Sequence, residues 1–339
     1  MLKIAMFSAA TKVKGQGVGS AYTELVRMLK NHFPSQLKIT VNKFGKSDIS
    51  HYHTVNPTYY LSTFMPGRGC KVGYVHFLPE TLEGSLKLPF FASKVFNKYL
   101  ISFYKRMDEL VVVNPSFIPK LGAYGIPAWK VTYIPNFVSK KEFHPESKDK
   151  ILAKKRELGL DPDKFTIIGV GQIQDRKGVP DFIKLARMFP DIQFIWVGGF
   201  SFGKITDGYE QLKKVVDNPP ANLIFPGIVD RDQMGLYYNL ADLFLLPSYN
   251  ELFPMSILEA FSCGIPVMVR ELKLYHSIIS GYYEPADDVD DMARKIKELV
   301  NDPEKLAELK QKAQKASAFY SEDRLADIWY QYYRDHAKR

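Results

Sequence analysis

Short apolar runs that end in glycine, proline or polar residues recur along the whole chain. Runs of this kind are typical of strands that are buried on both faces of a sheet. They predict strands at 3–7, 39–41, 71–75, 109–113, 131–134, 165–170, 194–197, 222–225 and 241–246. Apolar residues at steps of three and four predict helices between strands, among them 20–33, 151–158, 289–299 and 325–336. This alternation indicates parallel sheets of the α/β class.

The chain has 339 residues, which is enough for two α/β domains because single cores rarely grow past roughly 250 to 300 residues. A polar run at 139–149 is the predicted linker. Cys70 and Cys263 are far apart and have no metal-like spacing, so a reducing cytoplasm is the expected compartment. The apolar stretch 2–10 is predicted to be the first strand rather than a secretory signal.

Net charge is divided unevenly along the chain. Residues 1–145 contain 19 Lys/Arg and 7 Asp/Glu, a balance of +12, whereas the remainder contains 27 and 30, a balance of −3. A strongly basic half suggests an anionic partner, for which nucleic acid and anionic lipid are both candidates. The sequence has no nucleic-acid recognition motif, which argues against nucleic acid.

The segment 86–106 favours lipid. Its apolar residues follow one helical face and its lysines gather on another, which is typical of a helix that lies in a membrane interface. A domain helix that packs its apolar face on a sheet would have the same pattern. The predicted apolar face is Ala92, Val95, Phe96, Tyr99, Leu100 and Phe103, and Ile101 and Tyr104 are further candidates for exposure. The predicted membrane-binding residues are Phe90, Phe91, Lys94, Lys98, Lys105 and Arg106.

Two carboxylates eight positions apart follow the predicted strand 241–246. Glu251 comes after the loop that begins at Pro247, and Glu259 lies one turn inside the apolar helix that follows. Glu251 is therefore expected at the carboxyl end of a strand, where open α/β sheets bind ligands. A wholly helical span would separate the two acids by about 12 Å at 1.5 Å per residue. That separation favours contacts with two parts of one long ligand over a hydrolytic pair.

The run Glu251-Leu-Phe-Pro-Met-Ser-Ile-Leu-Glu259, followed by Ala-Phe-Ser-Cys-Gly-Ile-Pro-Val, resembles the signature of glycosyltransferase family 4. This resemblance implies retaining enzymes of the GT-B fold, in which two Rossmann-like α/β/α domains face each other across a cleft. The implied N-terminal domain is 1–143, which faces the acceptor and the membrane, and a C-terminal helix at 320–339 crosses back to it. The implied nucleotide-sugar-binding domain is 144–319.

The resemblance also assigns a cation site to the loop after the strand 165–170. The family places an Arg after a Gly and a Lys before a Gly in this loop. Lys177 matches the Lys, whereas Gln172 occupies the Arg position, so Arg176 is the candidate for the second charge. Fixed cations at this point stabilise the charge that develops on a departing diphosphate. No metal and no other cofactor is therefore expected, and the acids at 287–291 are explained by the start of a helix.

The resemblance implies three catalytic residues, His76, Lys177 and Glu251. His76 follows the strand 71–75 and would contact the donor sugar or the acceptor, although a histidine satisfied locally at a strand end has the same pattern. Glu251 would hold the sugar hydroxyls and Glu259 the ribose. The implied donor-binding residues are Gly17, Val18, Gly19, Gly171, Gln172, Arg176, Lys177, Gly199, Pro226, Gly227, Glu251, Leu252, Phe253, Pro254, Met255 and Glu259.

The stretches 7–21, 171–178 and 251–256 narrow the resemblance to a glycolipid branch found in Gram-positive bacteria. The implied function is transfer of a hexose, galactose favoured over glucose, from a UDP-sugar to the glucose of α-monoglucosyl-diacylglycerol. The diglycosyl lipid serves as a lipoteichoic acid anchor. The implied partners are the UDP-hexose, the glycolipid and an anionic membrane surface, with the enzyme peripheral on the cytoplasmic face of the cell membrane. The alternatives are a soluble family 4 enzyme that makes a saccharide or capsular precursor, and a catalytically silent membrane-binding scaffold.

Overall fold

A computed structural model describes residues 1–10, 17–79, 90–200, 203 and 208–337 of the chain. The chain divides into two compact units, Met1–Phe137 with Glu322–Arg339, and Val138–Ser321. The observed division after Phe137 comes before the predicted domain boundary after residue 143. It does so because the segment predicted as a linker packs on the second unit. Phe143 is fully buried there, and the Ser262 hydroxyl donates to its carbonyl oxygen at 2.6 Å.

The first unit contains a parallel sheet with the strand order β2-β1-β3-β4-β5-β6. Apolar residues dominate the strands and are buried from both sides, as parallel sheets require. The strands are β1 Leu2–Phe7, β2 Leu37–Val41, β3 Ile49–Tyr52, β4 Cys70–Val75, β5 Glu109–Val112 and β6 Val131–Tyr133. The helices are α1 Gly17–His32, α2 Pro57–Ser62, α3 Phe90–Arg106, α4 Phe117–Ala123 and, after the second unit, the C-terminal Glu322–His336.

Helices cover both faces of this sheet. On one face Tyr74 of β4 stacks on Trp329 of the C-terminal helix, with 5.8 Å between ring centroids. On the other face Tyr52 of β3 meets Phe103 of α3 edge to face at 6.0 Å. Helices α2 and α3 therefore form an outer layer whose far side is open to solvent.

The second unit contains a parallel sheet with the order β12-β11-β10-β7-β8-β9. Its strands are β7 Thr166–Val170, β8 Gln193–Val197, β9 Leu223–Gly227, β10 Leu243–Leu246, β11 Val267–Arg270 and β12 Glu284–Ala286. Its helices are α5 Lys148–Glu157, α6 Val179–Met188, α7 Tyr209–Asp217, α8 Arg231–Tyr238, α9 Met255–Ser262, α10 Val289–Asn301 and α11 Pro303–Phe319. The C-terminal helix of the first unit is thus α12.

The predicted α/β class is confirmed, but the predicted bounds of the helix 20–33 and the strand 222–225 are wrong in detail. Helix α1 begins at Gly17 rather than Ser20, so Gly17, Val18 and Gly19 form its first turn. Tyr22, Leu25 and Leu29 form the buried stripe of this helix. Residues 11–16, which precede this helix, lie outside the described residues. Pro226 and Gly227 belong to the end of β9 rather than to a loop.

Helix α3 corresponds to the predicted helix 86–106, of which 86–89 and the side chains of Phe90, Phe91 and Ala92 lie outside the described residues. Of the predicted apolar face Leu100 and Phe103 are buried whereas Val95 is exposed, and Tyr104, a candidate for exposure, is buried. None of the described helices is long and apolar enough to cross a membrane.

Candidate active site

Lys177 and Glu251 lie at the point where the strand order of the second sheet reverses. Lys177 follows β7 and Glu251 follows β10, and these two strands are neighbours. On its other side β7 pairs with β8. The strands β8 and β9 therefore lie on one side of β7, and β10, β11 and β12 lie on the other. Such a reversal leaves a crevice at the carboxyl ends of the strands, where ligands of open parallel sheets bind.

The two side chains form an ion pair. Lys177 Nζ lies 2.5 Å from Glu251 Oε1, and both side chains are largely buried. The pair depends on a close approach of two loops at Gly178, which has a φ of +70°. A Cβ at this position would lie 2.1 Å from the carbonyl oxygen of Pro247, so only glycine fits. The turn that carries Lys177 therefore packs directly on the loop that leads to Glu251.

Arg176 links the same two loops through its side chain and its backbone. Its Nη1 donates to the Asn250 carbonyl oxygen at 2.8 Å. Its own carbonyl oxygen accepts from the backbone N–H of Tyr249 at 2.9 Å and from the Ser248 hydroxyl at 3.1 Å. Its Nε is buried and has no hydrogen-bond partner within the described parts of the chain. Arg176 thus fixes the loop before Glu251, and its role toward a diphosphate stays a prediction.

The electrostatics of the pair favour an anionic ligand. Burial lowers the pKa of the Lys177 ammonium. The Glu251 carboxylate raises this pKa in part, and the Arg176 charge lowers it further. An incoming anion would stabilise the charged ammonium. The Tyr275 hydroxyl is also buried, without a hydrogen-bond partner among the residues described, and burial followed by the Glu251 charge raises its pKa well above the usual value.

Arg270, at the end of β11, holds the loop before Glu251 from the opposite side. Its Nη2 lies 2.5 Å from Asp181 Oδ2 and its Nε donates to the Pro247 carbonyl oxygen at 3.1 Å. Its guanidinium lies over the Tyr249 ring, 4.1 Å from the centroid, and the Tyr249 hydroxyl donates to the same Asp181 oxygen at 2.6 Å. The loop 247–250 is therefore fixed between Arg176 and Arg270.

Glu259 lies on α9 and is engaged by two protein donors. The Tyr238 hydroxyl donates to Oε2 at 2.7 Å, and Arg231 Nη1 donates to Oε1 at 3.3 Å. Arg231 also donates to Glu142 at 3.1 Å. Helix α9 begins only at Met255, so the span from Glu251 is not wholly helical and the basis of the 12 Å separation is wrong. A ribose hydroxyl at Glu259 would have to share the carboxylate with these donors.

Comparison with known proteins identifies the family of this chain. Residues 150–316 match the family model described as glycosyl transferases group 1. An alpha-galactosylglucosyldiacylglycerol synthase from Streptococcus pneumoniae is 52% identical over 337 residues, which are 99% of this chain and 90% of that protein. The chain belongs to the group 1 glycosyltransferases. A processive diacylglycerol alpha-glucosyltransferase from Acholeplasma laidlawii is 34% identical over 135 residues, 40% of this chain and 39% of that protein.

Solved structures agree on the fold of this glycosyltransferase. A sucrose-phosphate synthase from Thermosynechococcus elongatus superposes with a TM-score of 0.80 at 16% identity, covering 99% of both chains. The Anabaena protein Alr3699/HepE, solved in complex with UDP-glucose, superposes with a TM-score of 0.78 at 15% identity, covering 99% of this chain and all of that chain. The resemblance to GT-B glycosyltransferases is confirmed, and the protein is a hexosyltransferase.

The other predicted donor residues of the second unit follow strands of the same sheet, whereas Gly17, Val18 and Gly19 belong to helix α1 of the first unit. The backbone N–H of Gly198 donates to the Gly227 carbonyl oxygen at 2.9 Å, and a Cβ on Gly198 would lie 1.9 Å from the Gly171 carbonyl oxygen. Gln172 and Gly199 follow β7 and β8 and are half-buried. Leu252 is half-buried, whereas Phe253, Pro254 and Met255 are buried, so any contact of these three with a donor would involve their backbone.

His76 belongs to a buried histidine cluster in the first unit. Its ring lies 4.3 Å from that of Tyr74 and 5.8 Å from that of His53, which in turn lies 4.1 Å from the ring of His51. Burial lowers the pKa of His51 and His76 to about 3 and that of His53 well below its usual value. His76 Nε2 and both His53 nitrogens have no hydrogen-bond partner in the described ranges.

The acidic cluster at 287–291 has the predicted structural role. Asp288 is the N-cap of α10, and its carboxylate accepts from the backbone N–H of Asp291 at 2.9 Å. Among the described residues, no group of three His, Cys, Asp or Glu side chains has a geometry that could hold a metal ion.

Several residues of the site carry no sequence signal that would single them out. Gly178 is visible as part of a Lys-Gly dipeptide, but Arg270, Tyr275 and Arg231 belong to no motif in the sequence. Arg270 contacts Asp181 from 89 positions away, and only the folded sheet brings them together.

Proposed function

We propose that this hexosyltransferase moves a hexose from a UDP-sugar to the sugar of a glucosyl-diacylglycerol. The observation that carries the donor class is the Lys177–Glu251 pair at the strand-order reversal of the second sheet. A cation and a carboxylate side by side suit a ligand that carries both a diphosphate and sugar hydroxyls. The start of helix α9, which follows Glu251 after three residues, adds partial positive charge to the same end of the sheet.

In the proposed reaction the bond between the anomeric carbon and the β-phosphate oxygen breaks, and the acceptor hydroxyl oxygen bonds to that carbon on the same face. The acceptor proton passes to the leaving phosphate, so UDP departs and no charge is lost or gained. Lys177 stabilises the charge that develops on the phosphate. Glu251 orients Lys177 and accepts hydrogen bonds from sugar hydroxyls, while Glu259 accepts from the ribose. His76, held neutral by burial, is the proposed contact near the reacting sugar.

The acceptor and the donor sugar are proposed from the named relatives. The Streptococcus pneumoniae relative is an alpha-galactosylglucosyldiacylglycerol synthase, and the relative from Acholeplasma laidlawii is a diacylglycerol glucosyltransferase. We therefore propose UDP-galactose as the donor and α-glucosyl-diacylglycerol as the acceptor. We also propose that the enzyme works on the cytoplasmic face of the membrane, where the exposed lysines of α3 meet anionic lipid.

The test is hexose transfer in vesicles that contain α-glucosyl-diacylglycerol and phosphatidylglycerol, with UDP-galactose and UDP-glucose offered separately and EDTA present. We expect a lipid with one additional hexose from UDP-galactose, at a rate that EDTA does not change, because Lys177 performs the task of a divalent metal. A rate that EDTA abolishes and Mg²⁺ restores would contradict the proposed cation role. Transfer to soluble saccharides without any lipid product would contradict the proposed acceptor.

Arg270 is expected to act as a positioning residue in this reaction. We expect Arg270→Met to lower kcat by about 10- to 100-fold, because a shift of about 1 Å in the group that Glu251 contacts has an effect of this size. Arg270→Lys should recover part of the rate, since a cation could still meet Asp181, whereas Tyr249→Phe removes a single hydrogen bond and should change kcat less. Steady-state kinetics measure kcat and KM. If Arg270→Met loses thermal stability but keeps the kcat of the unchanged protein, the positioning role is contradicted.

A further inference from the structure

Large apolar side chains that are strongly exposed gather on the outer layer of the first unit. Leu61 is 66% exposed and Phe64 is 57% exposed, at the end of α2 and in the turn after it. Val95 on α3 is 68% exposed, and Met65 and Phe44 are exposed on the same layer. Isolated exposed apolar residues are ordinary, but a group on one surface is typical of an interaction site.

Direct contacts hold α2, the turn after it and α3 together in one layer. The Tyr60 hydroxyl and Ser102 Oγ are 2.8 Å apart, which fixes α2 against α3. The Arg106 guanidinium lies over the Phe64 ring at 4.1 Å, and Arg106 Nε donates to Thr63 Oγ1 at 3.3 Å. The apolar tip of the turn is thus attached to the basic end of α3.

The lysines of α3 flank this apolar tip. At 100° per residue, Val95, Ser102 and Arg106 lie within about 40° of one another on the side that meets α2. Lys94, Lys98 and Lys105 form the adjoining stripe at the same spacing, and they are exposed. Leu100, Phe103 and Tyr104 are buried on the opposite side.

The Lys, Arg, Asp and Glu positions of this layer are all basic residues. The segments 41–47, 53–68 and 90–107, which form it, contain seven Lys/Arg and no Asp/Glu. A protein partner with an acidic surface would match the charge but not the projecting apolar tip. An anionic bilayer matches both, because apolar side chains enter the acyl region while cations remain at the headgroups. We refer to the exposed residues Phe44, Leu61, Phe64, Met65, Val95, Lys94, Lys98, Lys105 and Arg106 as the apolar–basic layer.

We propose that the apolar–basic layer is a bilayer-docking surface in which the tip formed by Leu61, Phe64 and Met65 inserts among lipids and α3 lies beside it at the headgroups. This inference rests on the proposed function only in that the acceptor is a lipid. It adds an inserting tip to the lysine-bearing helix, which remains at the headgroups. The tip precedes β4 and thereby connects the docking surface to the strand that His76 follows.

Sedimentation with vesicles of phosphatidylglycerol and phosphatidylcholine tests this surface. We expect the double variant Leu61→Ser/Phe64→Ser to bind at least about tenfold more weakly than the unchanged protein, since each buried methylene contributes to interfacial binding. The matched control is Met188→Ser/Val300→Ser, which removes two exposed apolar side chains from the second unit and should bind normally. Lys94→Gln/Lys98→Gln should weaken binding and reduce its dependence on salt.

Hexose transfer in detergent separates docking from catalysis. We expect Leu61→Ser/Phe64→Ser to transfer at the normal rate to acceptor dispersed in detergent, where no bilayer is needed, and more slowly in vesicles. Unchanged vesicle binding by this variant would overturn the docking surface, as would a change of oligomeric state in the absence of lipid. Vesicle binding that depends on Leu61 and Phe64 in a protein that transfers no hexose in detergent would support the surface and contradict the proposed function.

Discussion

Replacing Lys177 by Ala, or Glu251 by Gln, is expected to remove nearly all hexose transfer. Loss of a group that stabilises developing charge typically costs about 10²- to 10³-fold in kcat. Each variant also leaves its partner buried without an ion-pair partner, because Nζ and Oε1 are 2.5 Å apart in a largely buried site. A buried charge without its partner destabilises a protein by about 3–5 kcal/mol. Activity and thermal stability must therefore be measured together.

The double variant Lys177→Met/Glu251→Gln separates the two effects. It removes both charges, so we expect thermal stability to recover relative to the single variants while activity stays lost. The matched control is Glu146→Gln, which breaks an exposed ion pair with Lys150 and should leave both quantities unchanged. Recovery of activity together with stability in the double variant would show that the pair is structural and would contradict its catalytic role.

Acid is expected to unfold the first unit at a pH where most proteins of this size remain folded. Burial lowers the pKa of His51 and His76 from 6.5 to about 3. Because the unfolded chain binds these protons first, stability is complete above pH 6.5 and falls as the pH decreases from 6.5 toward 3. Each histidine contributes a loss of about 1.4 kcal/mol per pH unit, and His53 adds to it. The titratable side chains of other residue types that contact this histidine cluster are the phenols of Tyr22, Tyr74 and Tyr333.

The decisive comparison for acid unfolding is between His53→Phe and the unchanged protein. Phenylalanine keeps the stacking on Tyr74 but cannot take up a proton, so the loss of stability with decreasing pH should become less steep. His144→Gln, which removes a more exposed histidine of the second unit, is the control and should leave the slope unchanged. Hydrogen exchange resolves the first unit from the second. Equal slopes for His53→Phe and the unchanged protein would contradict a role for this cluster.

The sequence pattern predicts the strands well where apolar residues run together. β7, β8 and β10 are nearly continuous apolar runs, and their bounds differ from the predictions by at most two residues. β3, with the sequence Ile-Ser-His-Tyr, has no such run and escapes prediction. All four of its side chains are buried because the histidine cluster lies on one face and Tyr52 on the other. His51 is placed by a tertiary contact, since its Nδ1 lies 2.8 Å from the Tyr333 hydroxyl, and local sequence does not contain such a contact.

The chemistry of the site is predictable only in part for a similar reason. Lys177, Glu251 and Glu259 lie in segments whose spacing resembles a known family, so they can be singled out before the fold is known. Arg270 and Tyr275 take their roles from neighbours that are remote in sequence. Arg176, predicted as a cation for the donor, also holds a loop through hydrogen bonds that no pattern encodes.

The measurement that most directly tests the central claim is proton NMR of the lipid product formed from UDP-galactose and α-glucosyl-diacylglycerol. Transfer at the Lys177–Glu251 centre with the leaving phosphate as proton acceptor predicts an α-linked second hexose and one UDP released for each product molecule. Glu251→Gln should form almost none of this product while its lipid binding is unchanged. A β-linked product, or UDP release without lipid product, would contradict the account.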